Sequence, residues 1–291
     1  MGGRYGKDVF RLAAVVLTVV LITVAAGPLQ SEVPGDTWLP DLDQAAPTDL
    51  VAAPVGRSSK GRYALAFRSA VDNRGTGALV IDAQREPEDE SMTADQLVER
   101  FDGSLERHRA VATLQYVVSE DHEHWHYLGF SRYELRRPSD YSRVVRDRKT
   151  GFCLGDRYET DPEAPLLGEP PAPLYADDCE RNRPDLLRLR EGISVGYGDD
   201  YKQWLEGQSV ELTGLPEGRY YLVHRVNADG TLAEASYSNN ASSVLLDLRW
   251  RGTRRPPRLT LMRTCPDSDR CPLSGFDGPP GVGPLVPSPQ R

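Results

Sequence analysis

The segment "QSVELTGLPEGRYYLVHRVNADG" (residues 208–230) limits the fold more than any other. Runs rich in β-branched and aromatic residues are cut by "GLPEG" and "NADG", so the order is strand, turn, strand, turn. The same grammar recurs along the chain. "RYALAFRSAV" places Tyr63, Leu65, Phe67 and Val71 on one face of a strand. "DNRGTG" is turn chemistry and "ALVIDA" resumes as a strand, so 62–83 reads as a hairpin-like pair. "VATLQYVVSEDHEHWHYLGFSRYEL" reads as one long strand or two in sequence, and "ASSVLLDLRW" and "RLTLMR" as the last strands. One short helix is expected over "SMTADQLVERF", capped by Thr93, with Leu97, Val98 and Phe101 on one side. Many short strands with little helix imply a mainly β fold, a β-sandwich carrying long loops. The longest loop is the Pro- and charge-rich stretch 155–190.

The N-terminus sets the compartment. Arg4, Lys7 and Arg11 precede an apolar run, Leu12–Ala26, which ends on small residues. That is the plan of a secretory signal. The uncharged stretch reaches Ser31, long enough to span a bilayer, so an uncleaved membrane anchor is the alternative. Either way residues 32–291 face an oxidising compartment, secreted or extracellular. The four cysteines agree with this. "CPDSDRC" favours a local Cys265–Cys271 bridge, which leaves Cys153 with Cys179. The expected organisation is a signal or anchor over 1–31, one large domain over 32–264, and a Cys-bridged, Pro- and Gly-rich tail over 265–291. With 35 basic against 43 acidic side chains, nothing suggests a nucleic-acid partner.

Three of the five histidines fall in "HEHWH": His122, His124 and His126. On a strand, residues two apart share a face, with Cα atoms roughly 6.5–7 Å apart. The three imidazoles then project together, while Glu123, Trp125 and Tyr127 face the other way. Imidazole suits Cu, Zn, Fe and Ni, and spacing does not choose among them. Three histidines with an open position form a catalytic rather than a structural metal site. The plain alternative is a surface strand whose histidines bind nothing. His108 reads as solvated and His224 as a packed strand residue.

The run "HEHWHYLGFSRYEL" resembles the copper-binding segment of the lysyl oxidase family, with His-x-His-x-His followed by Phe130, Ser131, Arg132, Tyr133, Glu134 and Leu135. "RKTGFCL" is similar to the family's Lys-x-x-Phe-Cys-Leu through Lys149, Phe152, Cys153 and Leu154. "GISVGYGDDY" resembles its Gly-hydrophobic-Ser-x-Gly segment, ending on Tyr201. "LPEGRYYLVHRVN" and "LAEASYSNN" follow in the family's order. The resemblance implies a copper-dependent amine oxidase. His122, His124 and His126 would hold copper. Lys149 and Tyr201 would supply a lysine tyrosylquinone cofactor, and Asp199 a catalytic base. Primary amines or lysine-containing peptides, together with O₂, would yield an aldehyde, hydrogen peroxide and ammonia. On composition alone Lys149 is a solvated loop charge and Tyr201 a turn tyrosine. Arg132 stands where the family often has histidine. Two other readings use the same residues. One is an exported copper-binding protein that never matures the quinone. The other is a β-sandwich interaction module presenting Trp125, Tyr127 and Trp204.

Overall fold

The computed structural model describes residues 35–55, 61–119, 123–147, 149, 151–252 and 255–273. The signal or anchor segment, His122 and most of the C-terminal tail therefore lie outside the described residues. Among the described residues no helix occurs, and so none is long and apolar enough to cross a membrane.

The chain opens with β1 (Thr37–Trp38), β2 (Leu42–Gln44), β3 (Thr48–Pro54), β4 (Tyr63–Asn73) and β5 (Leu79–Gln84). Three longer strands follow: β6 (Ser91–Arg100), β7 (Leu105–Val118) and β8 (Glu123–Leu128). Next come β9 (Ser131–Arg136), β10 (Arg143–Arg146), β11 (Gly151–Phe152) and β12 (Tyr158–Glu159). After the long loop come β13 (Arg188–Ile193), β14 (Tyr197–Tyr201) and β15 (Ser209–Glu211). The last three are β16 (Gly218–Val226), β17 (Ala241–Arg249) and β18 (Arg258–Cys265).

These strands form three antiparallel sheets. One runs β11-β8-β7-β6-β5-β13, with β1 on β6; the second runs β10-β9-β16-β17-β18; the third is built on β4, which pairs with β2, β3, β14 and β15. The alternation read in the sequence is the burial pattern of β4, where Tyr63, Leu65, Phe67 and Val71 all point inward. Apolar faces of all three sheets meet in one core that includes Phe67, Ile81, Leu114, Trp125, Tyr133, Leu222 and Leu246. The mainly β reading with long loops is what the chain adopts.

Two local expectations are corrected. Residues 91–101 are not a helix: Ser91–Arg100 is β6, paired with β5 on one side and β7 on the other. A register shift between Ala94 and Gln96 breaks the two-residue alternation, and Leu97 and Val98 are both buried. That break imitates a helical period, and pairing on both edges overrides a weak helix propensity. The second correction is the hairpin at 62–83. Both strands exist, but β4 and β5 lie in different sheets. The turn between them is held by the N-terminal lead-in, with Thr76 N and Gly77 N donating to Leu39 O at 3.0 and 2.9 Å. That carries the chain from one sheet to the next.

The loop 155–190 is held down at several points. Cys153–Cys179 and Cys265–Cys271 are both disulfide-bonded, as the spacing suggested. The buried carboxylate of Asp156 accepts from Leu174 N, Tyr175 N, Ser194 N and Ser194 Oγ at 2.7–3.1 Å. Trp125 N donates to Cys179 O at 3.2 Å and Asn182 N to Glu123 O at 2.9 Å, so the loop covers the edge of β8.

Candidate functional site

β8 is paired with β7 through Val117↔His124 and Gln115↔His126, so its side chains alternate as a strand requires. Trp125 and Tyr127 enter the core. They are buried, which removes them from any binding surface; Trp204 remains exposed. His124 and His126 point the other way, into a cleft of about 310 Å³ closed by the loop that bears the disulfide. Their Nε2 atoms stand 2.8 Å apart. Two nitrogens each about 2.0–2.1 Å from one ion, at right angles, would lie about 2.9 Å apart. The two imidazoles thus converge as two donors to a single ion converge, and their chemistry fits copper. Gly151 on β11 makes room for this, since a Cβ there would come within 2.5–2.8 Å of the His126 Cβ and ring.

The other two histidines lie apart. His224 is fully buried between the Phe67 and Tyr133 rings, with centroids at 4.6 and 4.3 Å, and burial holds it well below its usual range. His108 is half-buried on β7, its Nε2 3.2 Å from Glu106, rather than simply solvated.

The same cleft holds Lys149, Asp199 and Tyr201. Asp199 and Tyr201 sit two apart on β14, opposite Val71 and Ser69 of β4, and so share a face. Tyr201 is buried and meets Phe152 edge-on at 5.1 Å. Lys149 lies just before β11. Its Nζ is 4.9 Å from the Tyr201 ring centroid and 5.0 Å from that of Phe152, and it donates to Glu206 O at 3.5 Å. The 205–207 turn presses on it: Gly207 has φ 73°, and a Cβ there would lie 3.0 Å from Lys149 Cα and Cβ.

Burial sets the electrostatics. It draws the Lys149 amine down to about 8, against the opposing pull of Asp199, Asp147 and Glu206. It pushes the Asp199 carboxyl up to about 7, against the nearby Arg157 guanidinium. It raises the Tyr201 phenol well above its usual value, reinforced by Asp199. Tyr201 Oη stands 2.6 Å from Asp199 Oδ2 and 2.9 Å from Cys153 O. One phenol proton cannot serve both acceptors. With Asp199 neutral, its carboxyl donates to Tyr201 Oη, and the phenol donates to Cys153 O. With Asp199 ionised, the phenol donates to the carboxylate.

Arg157 was not singled out from the sequence, where it is one arginine among many. Its Nε lies 3.7 Å from Asp199 Oδ1, Nη2 donates to Cys153 Sγ at 3.2 Å, and Nη1 donates to Asp177 O at 3.3 Å. Glu191 beneath the disulfide was also silent. It is buried, burial raises its carboxyl well above the usual range, and Oε2 stands 3.1 Å from Cys179 Sγ.

The lysyl oxidase family profile matches residues 106–255, which include every candidate site residue. Protein-lysine 6-oxidase of Gallus gallus is 28% identical over 132 residues, 45% of this chain and 27% of that protein. The Sus scrofa enzyme of the same name is 28% identical over 132 residues, 45% of each chain. Lysyl oxidase homolog 2 of Gallus gallus is 27% identical over 126 residues, 43% of this chain and 14% of that protein. The matches thus span less than half the length of these relatives. The family profile covers just over half of the chain, and the chain belongs to the lysyl oxidase family.

Proposed function

We propose that this protein is an exported amine oxidase of the lysyl oxidase type, converting primary amines or peptidyl lysine to aldehydes with release of hydrogen peroxide and ammonia. The observation that carries the reading is the meeting, in one cleft, of the His124–His126 pair with the Lys149 amine 4.9 Å from the Tyr201 ring. His122, His124 and His126 would hold copper. Lys149 and Tyr201 would give lysine tyrosylquinone, within a catalytic domain over 32–264. When formed, that quinone supplies a carbonyl for the substrate amine and a sink for its electrons.

The chain's own groups do the rest. Asp199 holds or accepts a proton at Oδ2, beside the Tyr201 oxygen, and ionises near neutral pH. Arg157 stands over its other oxygen and limits that rise. Lys149 is drawn down to about 8, so at pH 7 about a tenth of it is the neutral amine, the nucleophilic form, far more than for an ordinary lysine. The two disulfides suit a protein that works in an oxidising compartment.

The test is amine-dependent peroxide release by copper-treated protein, beside Tyr201→Phe and His124→Ala. The reading requires activity in the parent, copper without turnover in Tyr201→Phe, and loss of both in His124→Ala. An active, copper-loaded His124→Ala protein would remove the site from consideration. Stoichiometric copper without turnover in the parent would favour the copper-binding alternative.

A further inference from the structure

The disulfide Cys153–Cys179 is a wall of the same cleft, and its two sulfurs face different surroundings. A ring nitrogen of His124, Cys153 Sγ and a carboxylate oxygen of Asp178 all lie within 4.8 Å of one another. Arg157 Nη2 donates to Cys153 Sγ at 3.2 Å. Cys179 Sγ instead sits over the buried Glu191 carboxyl at 3.1 Å and the Leu154 carbonyl at 3.7 Å. In the oxidised chain Cys153 has no thiolate to offer a metal. Opening the bond would free one sulfur on the imidazole side and bury the other against an acid.

We propose that the Cys153–Cys179 bond selects between two metal sets: closed, the metal has imidazoles alone; open, the Cys153 thiolate joins His124 and Asp178 and holds a thiophilic ion such as Zn²⁺ or Cu⁺. Thiolate beside imidazole favours these soft or borderline ions. The guanidinium of Arg157, already a donor to this sulfur, stays in place to stabilise the anion. Asp178, the third member of this group, stands at the rim, ion-paired with Arg181. The chemistry balances with a phosphine reductant. The S–S bond takes two electrons from phosphorus and two protons from water, giving two thiols and the phosphine oxide. The Cys153 thiol then releases its proton to solvent as the metal binds. The inference rests on His124 and His126 being metal ligands, as in the function proposed above.

The probe is Co²⁺, which stands in for Zn²⁺ and reports thiolate ligation through a thiolate-to-cobalt charge-transfer band in the near ultraviolet. Full-length protein is compared oxidised, phosphine-reduced and desalted without air, and as Cys179→Ser and reduced Cys153→Ser, with circular dichroism reporting the fold. The band is expected in the reduced parent and in Cys179→Ser, with at least tenfold tighter Co²⁺ binding than in the oxidised chain. It is expected to be absent from the oxidised parent and from Cys153→Ser. An unchanged, imidazole-only spectrum on reduction overturns the inference and leaves the proposed function standing. A band in the reduced parent with no metal bound by the oxidised chain removes the imidazole-only set, which overturns the inference and also counts against the proposed function. A band that survives in Cys153→Ser, or unfolding of both the reduced parent and Cys179→Ser, overturns it.

Discussion

Lys149 Nζ stands 4.9 Å from the centroid of the Tyr201 ring, although Lys149 lies just before β11 and Tyr201 at the end of β14. The approach is made by two independent devices. β14 is fixed against β4, and the 205–207 turn bears on Lys149 from above. The cation of Lys149 lies over two aromatic faces, those of Phe152 and Tyr201, in surroundings dry enough to favour its neutral form.

Lys149 is therefore expected to react early with a small amine-directed acylating reagent. At pH 8 about half of it is neutral, from its value of about 8. Brief labelling followed by peptide mapping should modify Lys149 ahead of Lys202, which is ion-paired with Asp200. Equal labelling of the two would show that the amine is not drawn down.

Asp199 gives the activity a pH limb. Its carboxyl is raised to about 7, so it is protonated below that and a base above it. With Asp199 as the base, kcat/KM for a primary amine should climb as pH rises through about 7. Asp199→Asn should lower kcat by about 10²–10⁴ and abolish that limb. An unaltered profile in Asp199→Asn would assign the limb to another group.

Gly151→Ala places a methyl group within 2.5–2.8 Å of the His126 Cβ and ring. Rotating the imidazole does not clear the His126 Cβ, so β11 and β8 must move apart, which shifts the His126 ring from His124. Copper stoichiometry should fall severalfold with near-parental circular dichroism. Full loading would show that His126 can shift without losing the metal.

Glu234 is the fold's buried acidic knot. It accepts from Leu42 N, Asn227 Nδ2 and Asn240 Nδ2 at 2.6–2.8 Å and so ties the lead-in to the segment before β17. Glu234→Ala leaves these donors orphaned and should cost about 3 kcal/mol, read by denaturant unfolding. Burial raises its carboxyl to about 7 from an ordinary 4.5. A raised acid binds more protons folded than unfolded, so its stabilisation is full below about 4.5 and is lost as pH rises through about 7. Glu234→Gln should reduce the fall in stability between pH 5 and pH 8; an undiminished fall would assign it to other groups.

Strand content, turns and disulfide pairing were legible because alternation, turn residues and cysteine spacing act locally. The β4 pattern is seen residue for residue in its burial. β6 was misread because a bulge at Ala94–Gln96 breaks the period by which strands are recognised. The partners of β4 and β5 were invisible because pairing is chosen by distant segments such as Leu39. At the site, the shared face of His124 and His126 follows from spacing alone. The nearness of Lys149 to Tyr201 does not, since it depends on how the segment before β11 is held against the end of β14. Arg157 and Glu191 carried no local signal: an arginine in a loop and a glutamate on a strand acquire meaning only when a disulfide is laid between them.

The most direct measurement is a peptide map of protein incubated aerobically with copper. The account predicts a covalent bond joining the Lys149 and Tyr201 peptides, with quinone redox activity at the joined pair. Separate, unmodified Lys149 and Tyr201 peptides from fully copper-loaded protein would contradict it.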